Sequence, residues 1–256
     1  MNRLTAFASR NIKEMLRDPL SYIFCLGFPL VMLIIMTIIN ESIPKEAGMT
    51  IFRIDNLSGG VAVFGQTFIM LFTAITVAGD RSSAFLVRMY ASPMKSIDFI
   101  AGYMLPMIVI SVVQCLITYA ASFIISFIVG VKLSLAGFVV SLAAIILSGI
   151  MFITLGLLFG TIFNEKSAPG VCSIIISLGS FLGGIWFDAE GTGGVMLTVC
   201  KSLPFFYCTK AVRSSAAMEF SFDGFILPII VVTACAAVTS VISAFVFRKK
   251  MKADLG

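Results

Sequence analysis

Six stretches of this chain contain no Asp, Glu, Lys or Arg and are predominantly apolar: 19–40, 56–79, 99–131, 133–164, 167–187 and 224–247. A hydrocarbon layer about 30 Å thick takes about 20 apolar residues as helix, because each backbone polar group inside it must bond within the segment. Every stretch is long enough to cross. The third and fourth exceed the need, so their ends project into the headgroups or the helices tilt. Charged residues make up 12% of the 256, about half of what a water-soluble domain carries. That composition excludes a soluble globule, a disordered chain and a coiled coil. The expected fold is an all-α polytopic membrane protein of one domain, 1–256. Its six transmembrane helices are expected at about 20–40, 57–79, 99–130, 134–162, 168–187 and 225–247. Lys132 alone divides the third from the fourth, in a tight aqueous turn at 130–134, since a Lys at mid-membrane is costly.

An even number of spans puts both termini on one side. That side holds Arg3, Arg10, Lys13, Arg17, Arg81, Arg88, Lys95, Lys166, Arg248, Lys249, Lys250 and Lys252, twelve of the eighteen Lys and Arg. The two-to-one bias places both termini in the cytoplasm. The net charge of +5 then reflects topology and attraction to anionic lipid, with no nucleic acid implied. Residues 1–18 read as an amphipathic helix in the membrane interface, with Leu4, Ala8, Ile12, Met15 and Leu16 on one face and Arg3, Arg10, Lys13 and Arg17 on another. They lack a cleavage site, and Asp18-Pro19 bends the chain into the first span.

The absence of His excludes a Ser-His-Asp triad, a Cys-His dyad and a His-ligated zinc. The six Cys form no C-x-x-C pair, so a redox or metal role fails on spacing. Cys200 and Cys208 fall in the outer segment 188–223, where a disulfide is conceivable. No phosphate loop and no G-x-G-x-x-G occurs, so the chain has no evident nucleotide site or cofactor and is not expected to be an enzyme. The spans lack the buried Asp, Glu, Lys or Arg on which ion-coupled carriers depend. Gly156-x-x-x-Gly160 and Gly179-x-x-x-Gly183 have the spacing of close helix packing. Ser173, Ser177 and Ser180 make a small-polar stripe in the fifth span, and Gln66, Thr73 and Thr76 a looser one in the second. Either stripe could line a transport path or act as hydrogen-bonding glue between helices.

The opening Arg10-Asn11-Ile12-Lys13-Glu14-Met15-Leu16-Arg17-Asp18-Pro19, running straight into a long apolar span, resembles the start of type-2 permeases of ATP-binding-cassette (ABC) exporters. The loop after the second span is similar to that family's E-R-E-x-G-T-L-E-x-L-x-x-[ST]-P. Asp80, Arg81, Leu86, Ser92 and Pro93 fit, with Met89 for Leu, while Ser82, Ala84, Phe85 and Val87 depart from it. Leu203-Pro204-Phe205-Phe206-Tyr207, leading to Ala211-Val212-Arg213, is similar to the region that forms short re-entrant helices before the last span. The resemblance implies a permease subunit in the plasma membrane, exporting a solute with power from a separate ATPase subunit that binds the ATP and Mg. Residues 80–97 would be the cytoplasmic coupling loop, with Asp80, Arg81, Phe85, Leu86, Arg88 and Met89 as ATPase contacts. Asn164 to Ser167 would be a smaller contact. Two copies, or this chain and a paralogue, would enclose the path, with the first and fifth spans near the dimer interface. The uncharged interior suits an amphiphilic or lipid-like cargo. The alternative is a passive pore or ion-coupled carrier with no ATPase partner.

Overall fold

The structure, a computed structural model, describes residues 3–44, 49–83 and 96–253. Helix α1 is Arg3–Arg17. Asp18 caps the next helix, accepting hydrogen bonds from the Leu20 amide (3.1 Å) and the Ser21 hydroxyl (2.6 Å), and Pro19 starts it. The long helices are α2 at Pro19–Ser42, α3 at Ile54–Ser82, α4 at Ser96–Val129 and α5 at Leu135–Ile162. Then come α6 at Ala168–Leu182, the short α7 and α8 at Ala189–Thr192 and Gly194–Lys201, and α9 at Pro204–Ala217. A π turn at Phe222–Ile226 leads into α10, Leu227–Ala253. No strand occurs among the described residues. The polytopic all-α architecture expected from the charge-free runs is present.

The fifth span differs from expectation. The run to Phe187 is helical only to Leu182, about 22 Å of helix, short of a full crossing. Gly184 takes φ +66, a conformation that glycine adopts without strain. Between α8 and α9 the axis bends by 91° where Pro204 begins a new helix, the bent pair before the last span. The Lys132 turn also forms, with Gly130 at φ +79 and the Ser126 carbonyl accepting from the amides of Gly130 and Val131.

Helix α3 is the hub. In its most apolar window 83% of residues are buried, against 22% for α2 and 17% for the last span. Glycines let α5 approach it. A Cβ on Gly156 would strike the Met70 carbonyl oxygen, and one on Gly160 would lie 2.8 Å from Val77 Cβ. The G-x-x-x-G spacing is therefore a packing device. On the other side α2 meets α3 through aromatic rings, Phe24 on Phe68 at 5.9 Å and Phe28 on Phe64 at 5.8 Å. Helix α10 is fastened to α5 where Thr154 and Thr239 hydroxyls meet at 2.8 Å and the Ser243 hydroxyl donates to the Thr154 carbonyl at 2.7 Å. Cys200 and Cys208 are both buried free thiols.

The α3–α5 contact makes a direct prediction. Gly156→Ala should lower the thermal midpoint of the purified protein, because forcing a methyl into a packed helix interface costs about 1–3 kcal/mol. Gly170→Ala should not, since a Cβ there meets nothing within 4 Å. Equal midpoints for both variants would refute the packing role.

Candidate functional site at the terminus-bearing end

Helix α1 and the last turns of α10 meet at one end of the bundle, Phe7 and Phe247 in one cluster, and some of the charged residues there are built into it. Asp80, in the last turn of α3, is 7% exposed. Arg10 of α1 donates to it through both terminal nitrogens, Nη1 to Oδ2 at 2.8 Å and Nη2 to Oδ1 at 2.9 Å. The Tyr103 hydroxyl of α4 donates to Oδ2 at 2.7 Å. A bidentate guanidinium fixes geometry as well as charge. Glu14, one turn along α1, adds a contact to Arg10 at 2.7 Å. Burial alone would lower the Arg10 pKa. The hydrogen bond and charge of Asp80, with the charge of Glu14, outweigh it and hold the guanidinium above its usual value.

Around this pair α1 is seated by shape. The Phe7 ring meets Phe99 and Tyr103 edge-on at 5.6 and 5.0 Å, and a Cβ at Gly102 would collide with it. Asn11 Nδ2 donates to the Gly102 carbonyl at 3.0 Å, and Phe247 of α10 closes the cluster. The buried face of α1 is thus Phe7, Ala8, Asn11 and Met15. The periodicity expected Leu4, Ala8, Ile12, Met15 and Leu16, but Leu16 is 59% exposed. The face is turned because α1 packs on protein along one edge, where a polar Asn finds a carbonyl, and presents Leu16 outward.

Arg81 points the other way. Its Nη1 donates to the carbonyl oxygens of Gly160, at 3.1 Å, and Thr161. These lie in the last turn of α5, where helix carbonyls lack intrahelical partners and the dipole is negative. The Ser82 hydroxyl donates to Glu165 Oε2 at 2.7 Å, bringing in the 164–167 loop. Asp80 and Arg81, two of the expected partner contacts, bond within the fold to α1, α4 and α5, as a charge at the edge of an apolar core requires. Phe85, Leu86, Arg88 and Met89, the other expected contacts, lie outside the described residues.

The path candidates separate. Gln66 is fully buried. It accepts from the Ser111 hydroxyl at 2.6 Å and donates to Gln114 Oε1 at 2.9 Å, and Gln114 donates on to Thr118 at 3.0 Å. Thr73 is buried and Thr76 half-buried, each bonded to the carbonyl four residues back. Ser173 and Ser177 face outward from α6, while Ser180 is buried. All three serines bond to their own helix. At the opposite end, Arg213 Nε donates to the Asn56 carbonyl at 2.9 Å, and its terminal nitrogens reach those of Gly184 at 2.8 Å and Ile185 at 3.3 Å. It borders a polar cleft of about 670 Å³ that also takes in Arg53, Asp55, Glu190 and Lys210. Sequence reasoning missed Arg10, Asn11 and Tyr103 as partners. The available signal was Asp80 itself, an acid ending a long uncharged run and therefore in need of a cation.

Asp80→Ala should strip protection from α1. Amide hydrogen exchange of 7–15 should rise, and stability should fall by about 1–3 kcal/mol as the Tyr103 hydroxyl loses its acceptor. Asp80→Asn, which keeps one acceptor oxygen, should do less. Unchanged exchange of α1 in both variants would show that the pair does not hold it.

No curated protein matches this chain. The family model described as ABC-2 type transporter matches residues 2–217, from the start of α1 to the end of α9. The matched span includes the whole Arg10–Asp80–Tyr103 junction and the four long helices α2 to α5. The chain belongs to the ABC-2 type transporter family and is a membrane permease component of such a transporter.

Proposed function

We propose that this chain is the membrane path of an ATP-driven exporter, powered by a separate ABC ATPase subunit that binds ATP and Mg. The observation that carries the proposal is the family match over 2–217, joined to the way Asp80, Arg81 and Ser82 are clamped just before residue 84. In this reading Phe85, Leu86, Arg88 and Met89 meet the ATPase. Asp80 and Arg81 transmit its movement through Arg10, Tyr103 and the end of α5. Both termini face the cytoplasm of a plasma membrane, as the twelve-to-six distribution of Lys and Arg supports.

The working unit is two such chains, or one with a paralogue. Gln66 and Thr73 lie inside the protomer, so a path between two copies would draw on outward faces such as that of Ser173 and Ser177. An uncharged interior favours an amphiphilic or lipid-like cargo over a bare ion.

The partner assignment is tested by affinity capture of a candidate ABC ATPase subunit from the same cell. Phe85→Glu combined with Arg88→Glu should reduce capture at least about tenfold, the effect of losing roughly 1.4 kcal/mol. Undiminished capture would overturn the contact. Vesicles holding the chain alone should not export, and movement of an amphiphilic dye without the ATPase and ATP would favour a pore or an ion-coupled carrier.

A further inference from the structure

Between α1, the start of α2 and the middle of α4 lies a groove of about 150 Å³ whose walls are almost wholly apolar. Ile12 and Leu16 come from α1, Cys25 from α2, and Pro106, Val109 and Val113 from α4. Neither α2 nor α4 is a regular α-helix at this level. Cys25 sits in the π turn Ile23–Gly27, and Pro106 withholds an amide from α4. Irregular turns of this kind recur at functional sites. The outer lips stay exposed, Leu16 at 59%, Val109 at 50% and Val113 at 40%, so the groove opens sideways, where the acyl chains of a bilayer run. Of the hydroxyl-bearing residues in its wall, Ser21 gives its hydroxyl to Asp18 and Tyr22 is partly exposed, so an occupant meets mostly hydrocarbon.

The rim has a different character. Lys13 and Arg17 stand one turn apart on α1, each next in sequence to a groove residue, and both are exposed. Arg10 is consumed by Asp80 and Glu14, and Asp18 is occupied as the cap of α2. Lys13 and Arg17 have no acidic partner among the described residues. Two uncommitted cations beside the mouth of a hydrocarbon groove match one kind of molecule, a chain with an anionic head.

We propose that this groove is a binding site for an anionic phospholipid of the leaflet facing the termini, one acyl chain lying along Leu16, Val109 and Val113 and the phosphate resting on Lys13 and Arg17. The lipid would then hold α1 from its membrane side, with its head beside Arg10, which lines one hollow with Lys13 and Arg17. The inference rests on the membrane reading of the chain and does not require the ATPase partner.

The test uses the purified full chain in phosphatidylcholine nanodiscs doped with a photoreactive lipid. The lipid carries a diazirine in its acyl chain and either a phosphatidylglycerol or a phosphatidylcholine head, and adducts are mapped by peptide mass spectrometry. Nanodiscs expose both faces, so a mistaken orientation in the membrane leaves the result unaffected. Phosphatidylglycerol should label Leu16, Val109 and Val113 well above phosphatidylcholine. A basic residue near an anionic lipid contributes about fivefold in affinity, so Lys13→Gln with Arg17→Gln should cut that preference by at least about tenfold. Val109→Trp, which fills the groove from an exposed position, should remove labelling by both lipids there while leaving it elsewhere. Equal labelling by the two heads in the unaltered chain would mean ordinary lipid contact and overturn the proposal. Protection of the groove from both probes, as a second copy or a transported amphiphile seated there would give, overturns it as well.

Discussion

Asp80 closes a run of two dozen uncharged residues, and the way its charge is compensated shapes everything near it. A carboxylate at the edge of a hydrocarbon core pays a large desolvation cost unless it is paired and its lone pairs are used. Here Arg10 binds both oxygens of the carboxylate and Tyr103 adds a second donor to Oδ2. The pairing holds α1 across the ends of α3 and α4, and the fit of Phe7 over Gly102 then sets its rotation. A leucine at position 80 would remove the electrostatic cost and, with it, the reason for α1 to dock where it does. Because desolvation offsets much of the attraction of a pair at such a boundary, the junction fixes the position of α1 more than it adds net stability.

The same accounting runs through the interior without charge. Gln66 and Gln114 face each other across α3 and α4 and are joined to Ser111 and Thr118 in one chain of hydrogen bonds. No buried side-chain nitrogen or oxygen among the described residues lacks a partner. Close backbones make this possible. A Cβ at Gly149 would lie 2.8 Å from the Ser111 hydroxyl and 3.0 Å from Gln66 Oε1, so the glycine clears the space that the amide needs. Between helices in lipid, packing and hydrogen bonds replace the hydrophobic drive. That explains why the small and polar residues of α3 turn toward neighbours and the bulky ones of α2 and α10 turn outward.

The long helices were legible in the sequence because the bilayer imposes one strict rule, and charge-free runs of sufficient length obey it. The bent pair before the last span could be placed from its resemblance to the family, and the turn at Lys132 from a single charge. What escaped was set by partners distant in sequence. The break at Gly183-Gly184 depends on Arg213 binding the carbonyls that the break releases, some thirty residues on. The turned face of α1 depends on Asn11 finding a carbonyl in α4, and periodicity counts an Asn as solvent-facing. Arg81 was legible as part of a motif, but its bond to the end of α5 required knowing that α5 and α3 run side by side through Gly156 and Gly160.

These contacts together decide where the structure can yield. Asp80, Arg81 and Ser82 are bound to α1, α4, α5 and the 164–167 loop, so a force entering at residue 84 would act on a block of four helices and not on α3 by itself. Within that block the backbones touch at glycines and the polar groups are paired, an arrangement that deforms only by discrete repacking. The lightly buried α2 has fewer such ties, and α10 has its own on α5 through Thr239 and Ser243. Alpha-helical regularity also lapses at particular points outside the α3–α5 core: the π turns at Ile23–Gly27 and Phe222–Ile226, and the Gly183-Gly184 break. Relative motion is least costly where hydrogen-bonding is already irregular. Movement imposed at the terminus-bearing end would therefore be taken up at the start of α2, beside the apolar groove, and at the far end where Arg213 joins α9 to the end of α6.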